Sequence, residues 1–189
     1  MKSGTKWLIG VLVVIGIIVI WIVGLYNSLI ASQQRVETAR ADIETQLQRR
    51  LDLIPNLVST VKGYATQEKE IYTDIANARS RLAGAGNITE QAEANNDLSG
   101  ALSRLLLVVE NYPQLKSNQN FQDLSVQLEG TENRIAIARQ DYNSAVTQYN
   151  TQRRRFPTNI ISNLFGFEAQ PFFEASQGAE QAPTVDFSS

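Results

Sequence analysis

The sequence predicts an all-α protein, in which an N-terminal transmembrane helix leads into an elongated antiparallel helical bundle. Three observations predict this class. Residues 7–26 form an uncharged apolar stretch, apolar residues recur at spacings of three and four over most of the remaining chain, and no strand-like alternation is evident after residue 30. A four-helix up-and-down bundle accounts best for the lengths of the helical runs.

The apolar stretch reads WLIGVLVVIGIIVIWIVGLY. Twenty helical residues span about 30 Å, which matches the hydrocarbon core of a bilayer. Trp7 and Tyr26 lie at its two ends, where aromatic rings favour the membrane interface. A secretory signal has a shorter apolar region followed by an A-x-A-like cleavage site, and the sequence NSLIASQQ that follows here contains none. We therefore predict an uncleaved transmembrane helix over residues 7–26.

The charges on either side of this stretch indicate its orientation. The short tail over residues 1–6 is purely basic, whereas the arginines that follow the stretch alternate with carboxylates. The positive-inside rule then places the tail in the cytoplasm and the soluble part outside it. We expect a single-pass protein of a bacterial inner membrane whose soluble domain is periplasmic.

The composition of the chain argues against several kinds of function. A net charge of −2 provides no electrostatic footprint for nucleic acid. The chain contains neither cysteine nor histidine, so it cannot form a disulfide, a Ser-His-Asp triad or a typical zinc site. Only carboxylate or Ser/Lys chemistry remains open, with Glu110 and Asp123 as candidate carboxylates. We predict no catalytic residue, no cofactor and no metal site, and hence no enzyme.

The first helical run continues from the apolar stretch and includes Pro55. One apolar stripe keeps its phase across the proline, which predicts a kinked helix rather than a chain reversal. Its members are Ile43, Leu47, Ile54, Val58, Val61, Ala65 and Tyr72. Two arrangements fit: a turn near Gly63, which yields four bundle helices, or a continuous helix to Ala83. Arg49, Arg50 and Asp52 lie off the stripe, where a solvated face and a partner site are both possible.

A loop with two glycines over residues 82–87 ends this run, and Thr89 is predicted to cap the next helix. That helix carries leucines at spacings of four and three and ends at Asn111-Tyr112-Pro113. Asn118 or Asn120 then caps the last bundle helix. Its seam consists of Phe121, Leu124, Leu128, Thr131, Ile135, Ala138, Tyr142, Ala145 and Tyr149.

Thr131 is the polar member of this seam. A polar residue among apolar seam positions can set helix register or oligomeric state, and we interpret Thr131 in this way as a hypothesis. The alternative is that its hydroxyl bonds to the backbone of its own helix.

The last helix ends in three arginines, and the bundle domain is predicted over residues 27–156. A phenylalanine-rich amphipathic segment follows over residues 157–175, and a disordered tail over 176–189. Both helical arrangements return the chain to the membrane here. We therefore hypothesise that six residues contact the membrane surface: Arg153, Arg154, Arg155, Phe156, Phe165 and Phe167. The alternative is that the rings cover the open end of the bundle.

Three long segments carry a resemblance to a known family. The runs over residues 43–65, 104–150 and 157–167, which end in LVSTVKGYA, YNSAVTQYN and SNLFGF, resemble the LemA family. The resemblance implies a bacterial membrane protein with one N-terminal span and an all-α bundle. It also implies an association of some members with membrane zinc metalloproteases of the HtpX type, and of one branch with magnetosome membranes. No settled activity comes with it.

We expect from these observations a membrane-anchored, non-enzymatic helical scaffold or adaptor that forms a homo-oligomer and recruits or organises membrane partners, with a membrane zinc metalloprotease as one candidate. Apolar positions outside the main stripes could form subunit contacts: Leu53, Leu57, Ile71, Leu106 and Leu107. The alternative is a sensor domain that binds a peptide or lipid in a groove of the bundle.

Overall fold

The structure is a computed structural model, which describes residues 2–65 and 67–174. Those residues form six helices and no strand, which confirms the all-α prediction. The helices are α1 Lys2–Lys62, α2 Lys69–Gly84, α3 Ile88–Val109, α4 Pro113–Lys116, α5 Gln119–Arg154 and α6 Thr158–Leu164. The tail predicted over 176–189 lies outside the described residues.

Helix α1 is a single helix of 61 residues. From Trp7 onward it contains a stretch that is long and apolar enough to cross a membrane, and no part of that stretch is buried. Leaving so many large apolar side chains in water would be unfavourable, so this stretch indicates a membrane anchor. The helix continues through Pro55, as the unbroken phase of the apolar stripe predicts.

A turn after Lys62 settles the choice between the two predicted arrangements. The Tyr64 and Ala65 amides both donate to the Val61 carbonyl, at 3.0 and 2.9 Å, and the chain leaves the helix there. The Tyr72 hydroxyl of α2 donates to the Ala65 carbonyl at 2.7 Å and holds the reversal in place. The helix therefore breaks near Gly63 and does not run on to Ala83.

The chain divides into two compact units. The first contains the residues up to Ala39 together with Tyr142–Gln170, and the second contains Arg40–Asp141 together with the described residues from Pro171. Helices α1 and α5 each contribute to both units. The remaining long helices, α2 and α3, lie entirely within the second unit.

Paired contacts show that neighbouring helices in the second unit run in opposite directions. Helix α2 opposes α1, because Arg79 Nε donates to the Leu51 carbonyl at 3.2 Å while the Tyr72 hydroxyl reaches Ala65. Helix α3 opposes α2, through an Arg81–Asp97 ion pair and a second ion pair at 2.8 Å that is formed by Asp74 and Arg104.

Helix α5 opposes the part of α1 that lies in the same unit. Arg50 approaches Glu132 at 2.7 Å, while Asn118 Nδ2, just before α5, donates to the Tyr64 hydroxyl at 3.1 Å, just after α1. The four segments of this unit therefore alternate in direction along the chain, which is the order expected of an up-and-down bundle.

The core follows the predicted stripes with local shifts. On α1, Leu57 is buried and Val58 only half-buried; on α5, Val146 is buried and Ala145 half-buried. Strict heptad spacing predicts Val58 and Ala145 as the core positions. A straight α-helix drifts by about 20° per heptad against a 3.5-residue repeat, so the buried stripe moves by one position along a long helix.

The observed cap of helix α3 is Asn87, two residues before the predicted cap. Asn87 has an extended backbone and its side-chain oxygen accepts from the Glu90 amide at 2.9 Å, while Glu90 Oε2 accepts from the Gly86 amide at 2.8 Å. This reciprocal pair satisfies two free amides at the helix start. The prediction that Thr89 is the cap was wrong, because Thr89 already lies inside α3. Asn118 does cap α5, accepting from Phe121 N at 3.1 Å.

Candidate functional site

The C-terminal end of α5 and the segment after it pack against the residues of α1 that end the apolar stretch. Gln152 Nε2 donates to Ser28 Oγ at 2.7 Å. The Tyr26 ring makes edge-on contacts with Phe165 and Phe167, with ring centroids 5.0 and 5.6 Å apart. Tyr26 is the last residue of the apolar stretch, so this end of the first unit lies at its boundary.

A tight turn after α6 positions the two phenylalanines. Gly166 adopts a positive φ of 72°, and the Phe167 amide donates to the Ser162 carbonyl at 2.9 Å. This is the hydrogen bond of a Schellman motif, in which glycine occupies the left-handed position because it lacks a Cβ. Arg153 Nε donates to the Phe167 carbonyl at 2.6 Å and ties the turn to α5.

Further hydrogen bonds tie the chain beyond the turn to α5. The Tyr149 hydroxyl donates to the Glu168 carbonyl at 2.9 Å. The side-chain amide of Asn150 donates to the Gln170 carbonyl at 2.9 Å and accepts from the Gln170 amide at 3.0 Å. Burial raises the pKa of Tyr149; nearby Glu168 also raises it, whereas Arg153 lowers it. The hydroxyl therefore stays protonated and acts as a donor at neutral pH.

The six residues predicted to contact a membrane surface fall into two groups in the structure. Phe167 is buried, and the Arg153 side chain is bound to the backbone of the turn, so both contribute to the fold of this end. The other four are exposed: Arg154, Arg155, Phe156 and Phe165. Their contact with a membrane stays a prediction.

Two further apolar residues at this end were not among the six that the sequence predicted to contact a membrane. Ile160 and Leu164 of α6 are exposed, Leu164 by 73%, and they continue the spacing of four that begins at Phe156, which is 81% exposed. Ile161 and Ser162, on the opposite side of α6, are buried. The spacing of four among large apolar residues was the signal that could have revealed this exposed face.

A second cluster lies inside the second unit, around Arg50. This arginine is 3% exposed, so the prediction of a solvated face fails for it, while Arg49 and Asp52 are exposed. Its guanidinium donates to Asn95 Oδ1 at 2.6 Å and to Ser99 Oγ at 3.0 Å, both on α3.

The charge of Arg50 is balanced by one carboxylate of α5. Its Nη1 lies 2.7 Å from Glu132 Oε2, an ion pair that lacks hydrogen-bond alignment. Burial lowers the pKa of Arg50 and the Glu132 carboxylate opposes this effect. The guanidinium remains charged, because arginine holds its proton far above neutral pH. This cluster therefore joins α1, α3 and α5 through one buried cation.

Thr131 lies next to Glu132 in the chain and is 1% exposed. Its hydroxyl donates to the Gln127 carbonyl of its own helix at 2.8 Å. The threonine is thus inward-facing with its hydroxyl satisfied locally, and its effect on register or oligomeric state stays a prediction.

The candidate carboxylates of the sequence analysis do not form a common site. Glu110 is exposed and pairs with Lys116 at 2.6 Å, while exposed Asp123 accepts from Gln119 at 2.8 Å. Within residues 2–65 and 67–174, no group of three or more Asp or Glu side chains is placed to hold a metal ion. A surface depression lies between α2 and α3, and its polar rim includes both ion pairs that join these helices.

Comparisons with known proteins agree with the resemblance of the sequence. The LemA family model matches residues 39–187. Magnetosome protein MamQ 2 of Paramagnetospirillum magneticum is 27% identical over 175 residues, covering 79% of this chain and 64% of the relative. Magnetosome protein MamQ of Magnetospirillum gryphiswaldense is 24% identical, and the match covers 78% of this chain and 64% of that relative. The chain therefore spans just under two thirds of the length of these relatives. Protein LemA of Metamycoplasma hominis is 25% identical over 164 residues, and the match covers 86% of this chain and 75% of that relative.

Proposed function

This chain belongs to the LemA family, and from that premise we propose that it is a membrane-anchored, non-enzymatic helical scaffold that self-associates and recruits or organises membrane partners. Helix α1 carries the proposal. One helix contains both the apolar stretch and, farther along, core residues such as Ile54 and Leu57. A tether that is continuous with the packed part of the protein keeps that part close to the membrane, where partners are encountered.

Exposed apolar side chains on α3 support self-association. Leu106 and Leu107 are neighbours in the chain, and both are exposed, Leu107 by 70%. Of the other positions considered for subunit contacts, Leu53 and Ile71 are half-buried and Leu57 belongs to the core. The α3 pair therefore offers apolar surface that a second copy can cover.

The partner that the family resemblance suggests is a membrane zinc metalloprotease of the HtpX type. In this proposal the chain resides in a bacterial inner membrane, with the basic tail in the cytoplasm and the helical units in the periplasm. The relatives named as magnetosome proteins support a role in organising a membrane assembly. The lack of histidine and cysteine in the chain favours binding over catalysis.

A pull-down of the full-length protein in mild detergent, with mass spectrometry and mass photometry of the eluate, tests the proposal. We expect a homo-oligomer that carries a membrane protein. Leu107→Glu should release monomers, whereas Ser103→Glu, an exposed change one turn earlier on α3, should leave the oligomer intact. A monomeric wild type without a bound protein would contradict the scaffold and favour the sensor alternative, in which a groove of the bundle binds a peptide or lipid.

A further inference from the structure

We propose that the exposed face of α6 lies on the bilayer and forms a second membrane contact beside the transmembrane stretch. The face consists of Ile160 and Leu164 of α6, with Phe156 before the helix and Phe165 at its end, and Arg154 and Arg155 precede it. The occupant is the anionic headgroup region of the membrane that α1 spans. The inference depends on that span and is independent of any scaffold role.

The contact between Tyr26 and Phe165 indicates the depth at which α6 lies. Tyr26 ends the apolar stretch, where an aromatic ring favours the membrane interface. Its ring lies 5.0 Å from the Phe165 ring, centroid to centroid. Phe165 therefore lies at the depth of the interface, and its immediate neighbours in α6 do as well.

The two sides of α6 differ in burial and in what they contact. Ile161 and Ser162 are buried against the rest of the unit, so the fold already occupies one side. The other side still presents Ile160 and Leu164 to the surroundings, with exposed Phe156 in the turn just before the helix. Several large apolar side chains exposed side by side are typical of a contact surface, and at this depth the acyl boundary is adjacent.

The chain around α6 carries a positive charge. Residues 153–167 contain three arginines and no aspartate or glutamate. Arg153 is bound to the turn, which leaves Arg154 and Arg155 exposed next to the apolar face. Exposed arginines beside large apolar residues match the surface of an anionic leaflet, where cations gain from the negative surface potential.

Hydrogen bonds and a tight turn hold the face in one conformation. The Gly166 turn, the Arg153 hydrogen bond to the Phe167 carbonyl and the paired bonds between Asn150 and Gln170 fix the segment to α5. The face therefore does not have to fold upon contact, and binding costs little conformational entropy.

The cysteine-free chain permits a direct test. Nitroxide labels at Leu164→Cys and at Ile160→Cys, in full-length protein reconstituted into vesicles of equal parts phosphatidylcholine and phosphatidylglycerol, report collisions with oxygen and with a water-soluble nickel chelate. Val126→Cys is the matched control, because Val126 is a similarly exposed apolar residue, on α5. We expect oxygen collisions to exceed nickel collisions severalfold at 164 and 160, and the reverse ratio at 126.

Equal access of the nickel chelate at positions 164, 160 and 126 would overturn the proposed membrane contact. Dipolar broadening between labels on two chains would assign the face to a second copy instead. A second variant tests the charge: Arg154→Gln with Arg155→Gln, in the Leu164→Cys background, should reduce the immersion in anionic vesicles and leave it unchanged in pure phosphatidylcholine. If the double variant and its Leu164→Cys parent were equally immersed in anionic vesicles, the role of anionic headgroups would be overturned.

Discussion

Arg50 of α1 lies 2.7 Å from Glu132 of α5, with the arginine side chain 4% exposed and the glutamate side chain 45% exposed. The guanidinium and the contacting Glu132 Oε2 are therefore buried, while the rest of the glutamate side chain reaches water. A buried charge that loses its partner is strongly destabilising, whereas a carboxylate at the edge can regain water. Because of this asymmetry, Arg50 depends on Glu132 more than Glu132 depends on Arg50. The ion pair also holds α5 and α1 in one register.

Glu132→Ala should destabilise the protein by about 2 to 3 kcal/mol, somewhat less than the loss of a partner in a fully buried pair, because Glu132 is half-exposed. The measurement is urea unfolding of full-length protein in mild detergent, followed by circular dichroism. Glu129→Ala, an exposed change on the same helix, is the control and should cost under about 0.5 kcal/mol. Equal effects of the two changes would show that Arg50 does not need this carboxylate.

Gly166→Ala should destabilise the end of the first unit by about 1 to 2 kcal/mol, because alanine is strained at a φ of 72°. No atom lies close enough to clash with an added methyl group, so the effect would come from the backbone alone. Hydrogen exchange at the Phe167 amide, which donates to Ser162, would detect the loosened turn. Gly130→Ala, where α5 is helical and also open, should instead be neutral or stabilising. The same protection of Phe167 in both variants would rule out strain at Gly166.

Alkaline pH should destabilise the protein through Tyr72 and Tyr149. Burial is the main cause that raises the pKa of each hydroxyl in the folded state. An unfolded tyrosine ionises near pH ~10, so the stability that each neutral hydroxyl contributes is complete below that pH and is lost as the pH rises through the folded pKa. The measurement is the thermal midpoint across this range.

The double variant Tyr72→Phe with Tyr149→Phe provides the comparison for that prediction. At neutral pH it should lose about 1 kcal/mol for each hydrogen bond to a carbonyl. Above pH ~10 it should lose less stability than the wild type, because it has no hydroxyl to ionise at these two sites. Parallel losses in both proteins would assign the alkaline effect to other groups.

Leu57→Ala should destabilise the second unit by about 2 to 5 kcal/mol, because the side chain is 1% exposed and its removal leaves a cavity. Val58→Ala, at the adjacent position of the strict heptad, should cost about 1 kcal/mol, because Val58 is half-buried and loses fewer contacts. Unfolding in urea measures both. A larger effect at 58 than at 57 would contradict the shift of the buried stripe along α1.

The all-α class, the apolar stretch and the helical runs were predictable from the sequence, because each depends on residues close together in the chain. Apolar spacing of three and four predicts a helix wherever it lies, and the Asn118 cap depends on a side chain and an amide three residues apart. Predictions over longer distances were less exact. Strict heptads placed Val58 in the core, and packing of a straight helix placed Leu57 there instead.

Only the tertiary structure decided the environment of Arg50 and of α6. Arg50 directly follows Arg49 and reads from the sequence as part of a solvated face; it is buried because Asn95, Ser99 and Glu132, which are at least 45 residues away in the chain, surround its guanidinium. Likewise, Phe165 and Phe167 differ in exposure because only Phe167 lies on the inner side of the Gly166 turn. Burial depends on which distant segments pack together, whereas helix formation depends on neighbours in the chain, so the sequence alone determined the helices and the packing decided which side chains they conceal.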